Sequence, residues 1–157
     1  MMIYRAATVG DVDWIFRLVN SLAGSGHMLS RSKYRIVTMM ANFIVAESPE
    51  GELAGCGALL PLWTDIAEIV ALAVDPGFRG RGVGKQLVLE LLQRARNQGF
   101  PEVIALTCAV DFFSQLGFSV QPKDKFPRKV WRECLECPRL EDCDEIAMSI
   151  RLDEAAG

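Results

Sequence analysis

Seven consecutive residues, Arg79-Gly80-Arg81-Gly82-Val83-Gly84-Lys85, combine three bases with three glycines at the head of an amphipathic stretch. Glycines lack Cβ atoms, so the backbone can turn sharply and approach a ligand closely. The N–H groups that open the following helix have no intrahelical acceptor, and the helix dipole adds positive potential. Such a place suits a phosphate-like anion. The alternative is a plain strand-to-helix turn whose arginines serve solubility. A Walker-type loop is excluded, because Gln86 rather than Ser or Thr follows Lys85; a dinucleotide fingerprint would need a glycine at Lys85. Glu68 is the second chemical candidate. It is a lone carboxylate opening an otherwise apolar run, and burial would raise its pKa towards the range of a general base. The competing reading is a solvated charge at a strand end. A third group is Cys134-x-x-Cys137-x5-Cys143, three of the five cysteines. Zinc held by these thiolates would need a fourth ligand, from His27 or Cys56; a redox dithiol and simple packing of small thiols are the other readings.

The elements that must position these groups follow from periodicity. Residues 68–74 (EIVALAV) read as a buried strand, and Val83, Leu87, Val88, Leu91, Leu92 and Ala95 recur at helical spacing after the loop. That helix runs to Gln98, with Gly99 as its C′ residue and Pro101 beyond. Upstream, 2–6 is a short strand, and Thr8 with Asp11 forms a capping-box signal. The helix after it has Val12, Ile15, Phe16, Val19 and Leu22 as its apolar face. Residues 31–41 read as a second helix, and 43–47 and 53–60 as a hairpin about the Pro49–Glu52 turn. Strands are expected at 103–107 and 118–121 around a short helix at 111–116. Residues 145–152 alternate as a half-buried strand of edge type. The 122–144 segment is irregular.

With 157 residues, half of them hydrophobic, one domain over the whole chain is expected. A net charge of −3 and no basic face outside the loop argue against a nucleic-acid partner. No apolar run approaches a membrane span, and the N-terminus lacks a secretory pattern, so the expected location is the cytoplasm. Thiols rather than disulfides are expected there. The oligomeric state is left open, a homodimer included.

The loop resembles the pyrophosphate loop of the GNAT N-acetyltransferase superfamily, [Q/R]-x-x-G-x-[G/A], which falls on Arg79, Gly82 and Gly84. Val74-Asp75-Pro76 matches the V-x-P that ends the preceding strand in that superfamily. Phe112-Phe113-Ser114-Gln115-Leu116-Gly117-Phe118 matches its F-[Y/F]-x-x-x-G-F signature, and the resemblance extends over about residues 2–121. It implies an α/β fold with a central mixed, mostly antiparallel sheet flanked by helices. It also implies acetyl-CoA as co-substrate. Backbone N–H groups of Arg81–Lys85, with the charges of Arg79 and Arg81, would take the pyrophosphate. Backbone of the Leu72-Ala73-Val74 strand end would take the pantetheine and thioester. The Ala-Glu-Ile-Val string is similar to the strand start at which histone acetyltransferases carry their base, which implies that role for Glu68. Where many members have a tyrosine acid for the departing thiolate, this chain has Phe113. Cys108, Thr107 or water would then substitute, or the thiolate leaves without an acid.

Two further segments narrow the resemblance. Gly55-Cys56-Gly57-Ala58-Leu59 and Trp63-Thr64-Asp65-Ile66-Ala67-Glu68-Ile69 look like short bacterial N-acetylglutamate synthases, as do Leu29-Ser30-Arg31-Ser32 and the cysteine-containing tail. The implied acceptor is the α-amino group of L-glutamate, which places the reaction in arginine biosynthesis. Arg31 and Ser32, with Lys129 or Arg35, would hold its carboxylates. The chain departs from that group at Val70, where an arginine recurs, and at Leu60, where a histidine does. An acetyltransferase for another small amine, or a non-catalytic acyl-CoA sensor, are the alternatives.

Overall fold

The computed structural model describes residues 1–23, 31–122 and 146–152. Among the described residues seven strands form one mixed sheet in the order β1-β2-β3-β4-β5-β7-β6, with four α-helices. The strands are β1 Ile3–Ala6, β2 Phe43–Glu47, β3 Leu53–Pro61, β4 Ala67–Val74, β5 Glu102–Thr107, β6 Ser119–Gln121 and β7 Ile146–Arg151. The helices are α1 Val12–Ala23, α2 Lys33–Thr38, α3 Val83–Gln98 and α4 Val110–Gln115. β4 and β5 run parallel, whereas β1–β2, β2–β3, β5–β7 and β6–β7 are antiparallel. The chain divides into two compact units, residues 1–60 with 69–94, and residues 61–68 with 95–157.

In the first unit the apolar face of α1 is seated as its spacing requires. Val12, Ile15 and Val19 are buried, Phe16 and Leu22 partly so, and they join Ile36, Phe43, Val45, Cys56 and Val70 in one core. The capping box at Thr8 forms: the Thr8 N–H donates to Asp11 at 2.8 Å, opening a single 3-10 turn that leads into α1. Arg5 on β1 forks onto the same carboxylate at 2.8 and 3.0 Å and reaches Glu47 on β2 at 3.3 Å. Buried Asp11 thus ties the first strand to the entry to α1, and Arg5 extends the link to the second strand.

The second helix is shorter than its pattern predicts, six residues within 31–41. The Thr38 hydroxyl donates to the Arg35 carbonyl at 2.9 Å, and the Met39 N–H is shared between the Arg35 and Ile36 carbonyls. This bonding tightens the last turn, and a 3-10 turn over Met40–Asn42 follows.

In the second unit, β5 carries β7 along its length, from Glu102↔Arg151 to Thr107↔Ile146. β7 is not the edge strand that its alternation suggests. β6 pairs with its other side through Ser119↔Ser149, Val120↔Met148 and Gln121↔Ala147. Flanked on both sides, Ala147, Met148 and Ser149 are all buried, while Ile146 is exposed. Alternation reports which face a residue takes, not how many neighbours its strand has.

The Arg5 guanidinium, chiefly by hydrogen bonding, holds the Asp11 carboxyl below the usual carboxylate range. The unfolded chain therefore binds that proton more readily. The stabilisation is fully present above about pH 4 and is lost as pH falls through the lower native value. Asp11→Ala should lower unfolding free energy by about 2 kcal/mol at pH 7 and by much less at pH 2–3, measured by urea unfolding at both pH values.

Candidate active site

The Arg79–Lys85 loop and the end of β4 lie together in the first unit. β4 passes into a 3-10 turn at Pro76–Phe78, where the Asp75 carboxylate accepts from the Gly77 N–H at 2.9 Å. Gly80 and Gly82 then take φ of +79° and +77°, a region costly for any residue with a Cβ. The carbonyl of Gly82 accepts the N–H of Gln86 at 3.0 Å, so α3 starts immediately after it. The N–H groups of Val83, Gly84 and Lys85 belong to the first turn, which has no intrahelical acceptors to offer them. Val83 is buried and anchors the turn, whereas Arg79, Arg81 and Lys85 are exposed. The Arg81 guanidinium lies 5.2 Å from the centre of the Phe78 ring, a cation–π contact that gives it a preferred place.

β4 contains a feature that no residue type in the strand announces. Ala71 adopts φ +54°, the left-handed region, inside a strand. Val70, Ala71 and Ala73 all join the same core, which strict period-2 alternation would not allow for neighbours 70 and 71. The strand is therefore re-aimed at Ala71, and Leu72 and Val74 lie beyond the break. The Cys56 thiol donates to the Ala71 carbonyl at 3.5 Å. Burial pushes that thiol up to about 12, so it keeps its proton at neutral pH.

The glycines beside Cys56 set how closely the layers approach. A Cβ on Gly55 would come within 2.9 Å of the Ala73 carbonyl oxygen and 3.1 Å of Val83; one on Gly57 would lie 3.1 Å from Leu72 and Leu91. The end of β4 and the first turns of α3 therefore meet over bare β3 backbone, which brings Ala73 and Val83 to the same spot. Glycine inside a strand is the one signal that could have disclosed this closeness. No residue type advertises the break at Ala71.

Arg31 is buried, and its backbone is tied to Asn20 of α1. Ser32 is the N-cap of α2, its hydroxyl accepting from the Arg35 N–H at 3.1 Å. Val70 is a core residue and Leu60 packs partly buried against that core.

In the second unit, Glu68 is 6% exposed, so it is not a solvated strand-end charge. It sits at the paired start of β4, where Ala67↔Val103 and Glu68↔Ile104 set the parallel register with β5. Phe113 is buried and meets Phe112 and Phe118 edge-on at 5.0 and 5.1 Å. Gly117 has φ +98°; its N–H donates to Ser114 and that of Phe118 to Phe113, which is a Schellman cap with its apolar contact. The F-F-x-x-x-G-F string is thus a helix stop as much as a signature. The Thr107 hydroxyl accepts from Ala109 N–H at 2.7 Å, and Cys108 is exposed. Lys129, His27, Cys134, Cys137 and Cys143 lie outside the described residues. No group of metal-binding side chains occurs among those described.

Residues 26–118 match the model of the acetyltransferase (GNAT) family. An uncharacterized N-acetyltransferase of Chlorobaculum tepidum is 38% identical over 144 residues, 92% of each chain. The chain belongs to the acetyltransferase (GNAT) family. It is accordingly an acyltransferase enzyme with that family's mixed sheet. An amino-acid acetyltransferase of Mycobacterium tuberculosis is 39% identical over 119 residues, 74% of this chain and 68% of that protein. The N-acetylglutamate synthase of Neisseria gonorrhoeae, solved with coenzyme A and N-acetyl-glutamate, superposes with TM-score 0.87 at 27% identity. That match covers 97% of this chain but 35% of the synthase, so the chain spans about a third of its length. Among the described residues no helix is long and apolar enough to cross a membrane.

The contacts around Gly55 yield a direct test. Gly55→Ala must displace either the Ala73 carbonyl or the first turn of α3. It should cost about 1–3 kcal/mol in urea unfolding. In steady-state assays it should raise the KM for acetyl-CoA several-fold.

Proposed function

We propose that this enzyme transfers an acetyl group from acetyl-CoA to the α-amino group of L-glutamate, the N-acetylglutamate synthase reaction that opens arginine biosynthesis in the cytoplasm. The observation that carries the donor half is the loop Arg79–Lys85, with left-handed Gly80 and Gly82 at the head of α3. Backbone N–H groups there suit a pyrophosphate, and Arg79 and Arg81 add charge. The acceptor half is supported by the similarity to an amino-acid acetyltransferase and to an N-acetylglutamate synthase.

Acetyl transfer needs the donor held, the thioester carbonyl polarised and the acceptor ammonium stripped of a proton. Backbone of Leu72, Ala73 and Val74 serves the thioester arm, beyond the break at Ala71. Glu68 takes the ammonium proton, directly or through a water. The amine then forms the new C–N bond as the C–S bond breaks and the thiolate departs. Phe113 has no proton to give, so the thiolate leaves without an acid from that position. Arg31, together with Lys129 or Arg35, meets the two carboxylates of glutamate, and Ser32 holds the turn that presents Arg31.

A second acceptor, another small amine, is favoured by Val70 and Leu60, which stand where an arginine and a histidine recur in the synthases. Thiol release from acetyl-CoA, measured with each of twenty amino acids, decides between them. Glutamate-dependent release is expected; release with a different amine and none with glutamate replaces the acceptor. Glu68→Gln should lower kcat by about 10²-fold and remove the acidic limb of the pH–rate profile, the fall in rate at low pH as a base takes up its proton. An unchanged profile would take the base role from Glu68.

A further inference from the structure

Asn20 is a polar residue in the interior of α1, a position at which asparagine weakens a helix because its amide competes for backbone partners. Here three of its four hydrogen-bonding directions are used, both donors among them. Its Nδ2 donates to the Phe16 carbonyl at 2.8 Å and to the Arg31 carbonyl at 2.8 Å. Its Oδ1 accepts from the Arg31 N–H at 3.0 Å. Two donors and one acceptor in fixed directions leave a single amide orientation, since a flipped amide would set like against like at Arg31. The side chain thus plays the part of a neighbouring strand's peptide, exchanging both bonds with one residue eleven positions on.

Arg31 is held from its other side as well. Ser32 follows as N-cap of α2, with its carbonyl accepting from Ile36 N–H at 3.1 Å, and Ile36 is fully buried. Arg31 is therefore the residue between a clamp on α1 and the start of a core-anchored turn. An arginine side chain has several rotatable bonds, so the place its guanidinium reaches depends on a fixed backbone origin. We infer that Asn20 is the positioning residue for Arg31, fixing the backbone from which that guanidinium meets the acceptor's carboxylate. The inference rests on the acceptor reading above for its kinetic consequence, but the clamp itself is geometric. Asn20 touches no reacting atom and acts through Arg31.

The test varies each substrate with the other saturating. Asn20→Leu is the main variant, because leucine matches the shape and favours the helix while removing all three bonds; Asn20→Ala is the second. Both should raise the KM for glutamate about tenfold, leave kcat within about threefold, and leave the KM for acetyl-CoA unchanged; misplacement of about 1 Å is costly at this scale. In an Arg31→Ala background the Asn20 substitutions should add nothing to the glutamate KM, because they act through Arg31. Equal rises in both KM values, an unchanged glutamate KM in a folded variant, or full additivity with Arg31→Ala would each overturn the proposal. Amide hydrogen exchange at Arg31 reads the clamp independently of the acceptor: protection is expected in the parent and should fall at least tenfold in Asn20→Leu, and undiminished protection overturns it. If the parent acetylates an amine other than glutamate, the acceptor reading fails while the exchange result still stands, and the KM split is then read against that amine.

Discussion

The break in β4 at Ala71 is the constraint on which the arrangement of the first unit depends. A left-handed alanine inside a strand costs about 1–2 kcal/mol and persists only where its surroundings over-determine it. Those surroundings are on the adjacent strand. Cys56 offers its thiol proton to the Ala71 carbonyl from within the core, and burial keeps that proton in place. Flanking it, Gly55 and Gly57 offer no side chain at all, so Ala73, Leu72 and α3 close directly onto β3. The Gly-Cys-Gly string thus combines one hydrogen-bond donor with two absent side chains, each answering a demand made by β4 or α3.

From that contact the loop acquires its position. α3 begins immediately after Gly82, and its first buried residue, Val83, packs where a Cβ of Gly55 would otherwise stand. A helix seated this deeply carries its N-terminal N–H groups with it, close to the backbone of Ala73 at the end of β4. The exposed charges Arg79, Arg81 and Lys85 surround that turn without having to build it. Burial therefore fixes the backbone, while the charged groups stay in water and are available to an anion.

Much of the second unit is organised by stops rather than by catalytic groups. Gly117 ends α4 through a Schellman cap, and Phe113 and Phe118 close the apolar contact across it. The same logic ends α3, where Gly99 takes φ +89° and Phe100 N–H returns to Ala95. Glu68, on the paired stretch of β4, is the acidic group that this unit carries in a buried position at a candidate catalytic site. It lies buried on the stretch of β4 that pairs in parallel with β5.

Local chemistry was legible in the residues themselves. Periodicity located α1, α3 and most strands to within a residue or two, glycines located the caps at Gly99 and Gly117, and the glycines of Arg79–Lys85 located the turn between β4 and α3. These features depend on neighbours close in sequence, where 3.6 and 2.0 residue periods and single φ preferences suffice. Tertiary structure decided the rest. The pattern of β7 suggested an edge strand, yet β6 covers its far side, because strand neighbours are chosen by chain topology and not by alternation. The ragged 31–41 pattern became a short α2 because Thr38 turned its hydroxyl onto Arg35. Ala71 was invisible because alanine has no preference that announces a positive φ; only the core around Cys56, Val70 and Ala73 imposes it. Asn20 and Arg31, eleven residues apart, likewise meet only once α1 and α2 are packed. The sequence by itself determined which candidate groups this protein carries, the glycine- and arginine-rich loop and the carboxylate of Glu68. Where their backbones stand was decided by long-range burial, the term that no local window of residues contains.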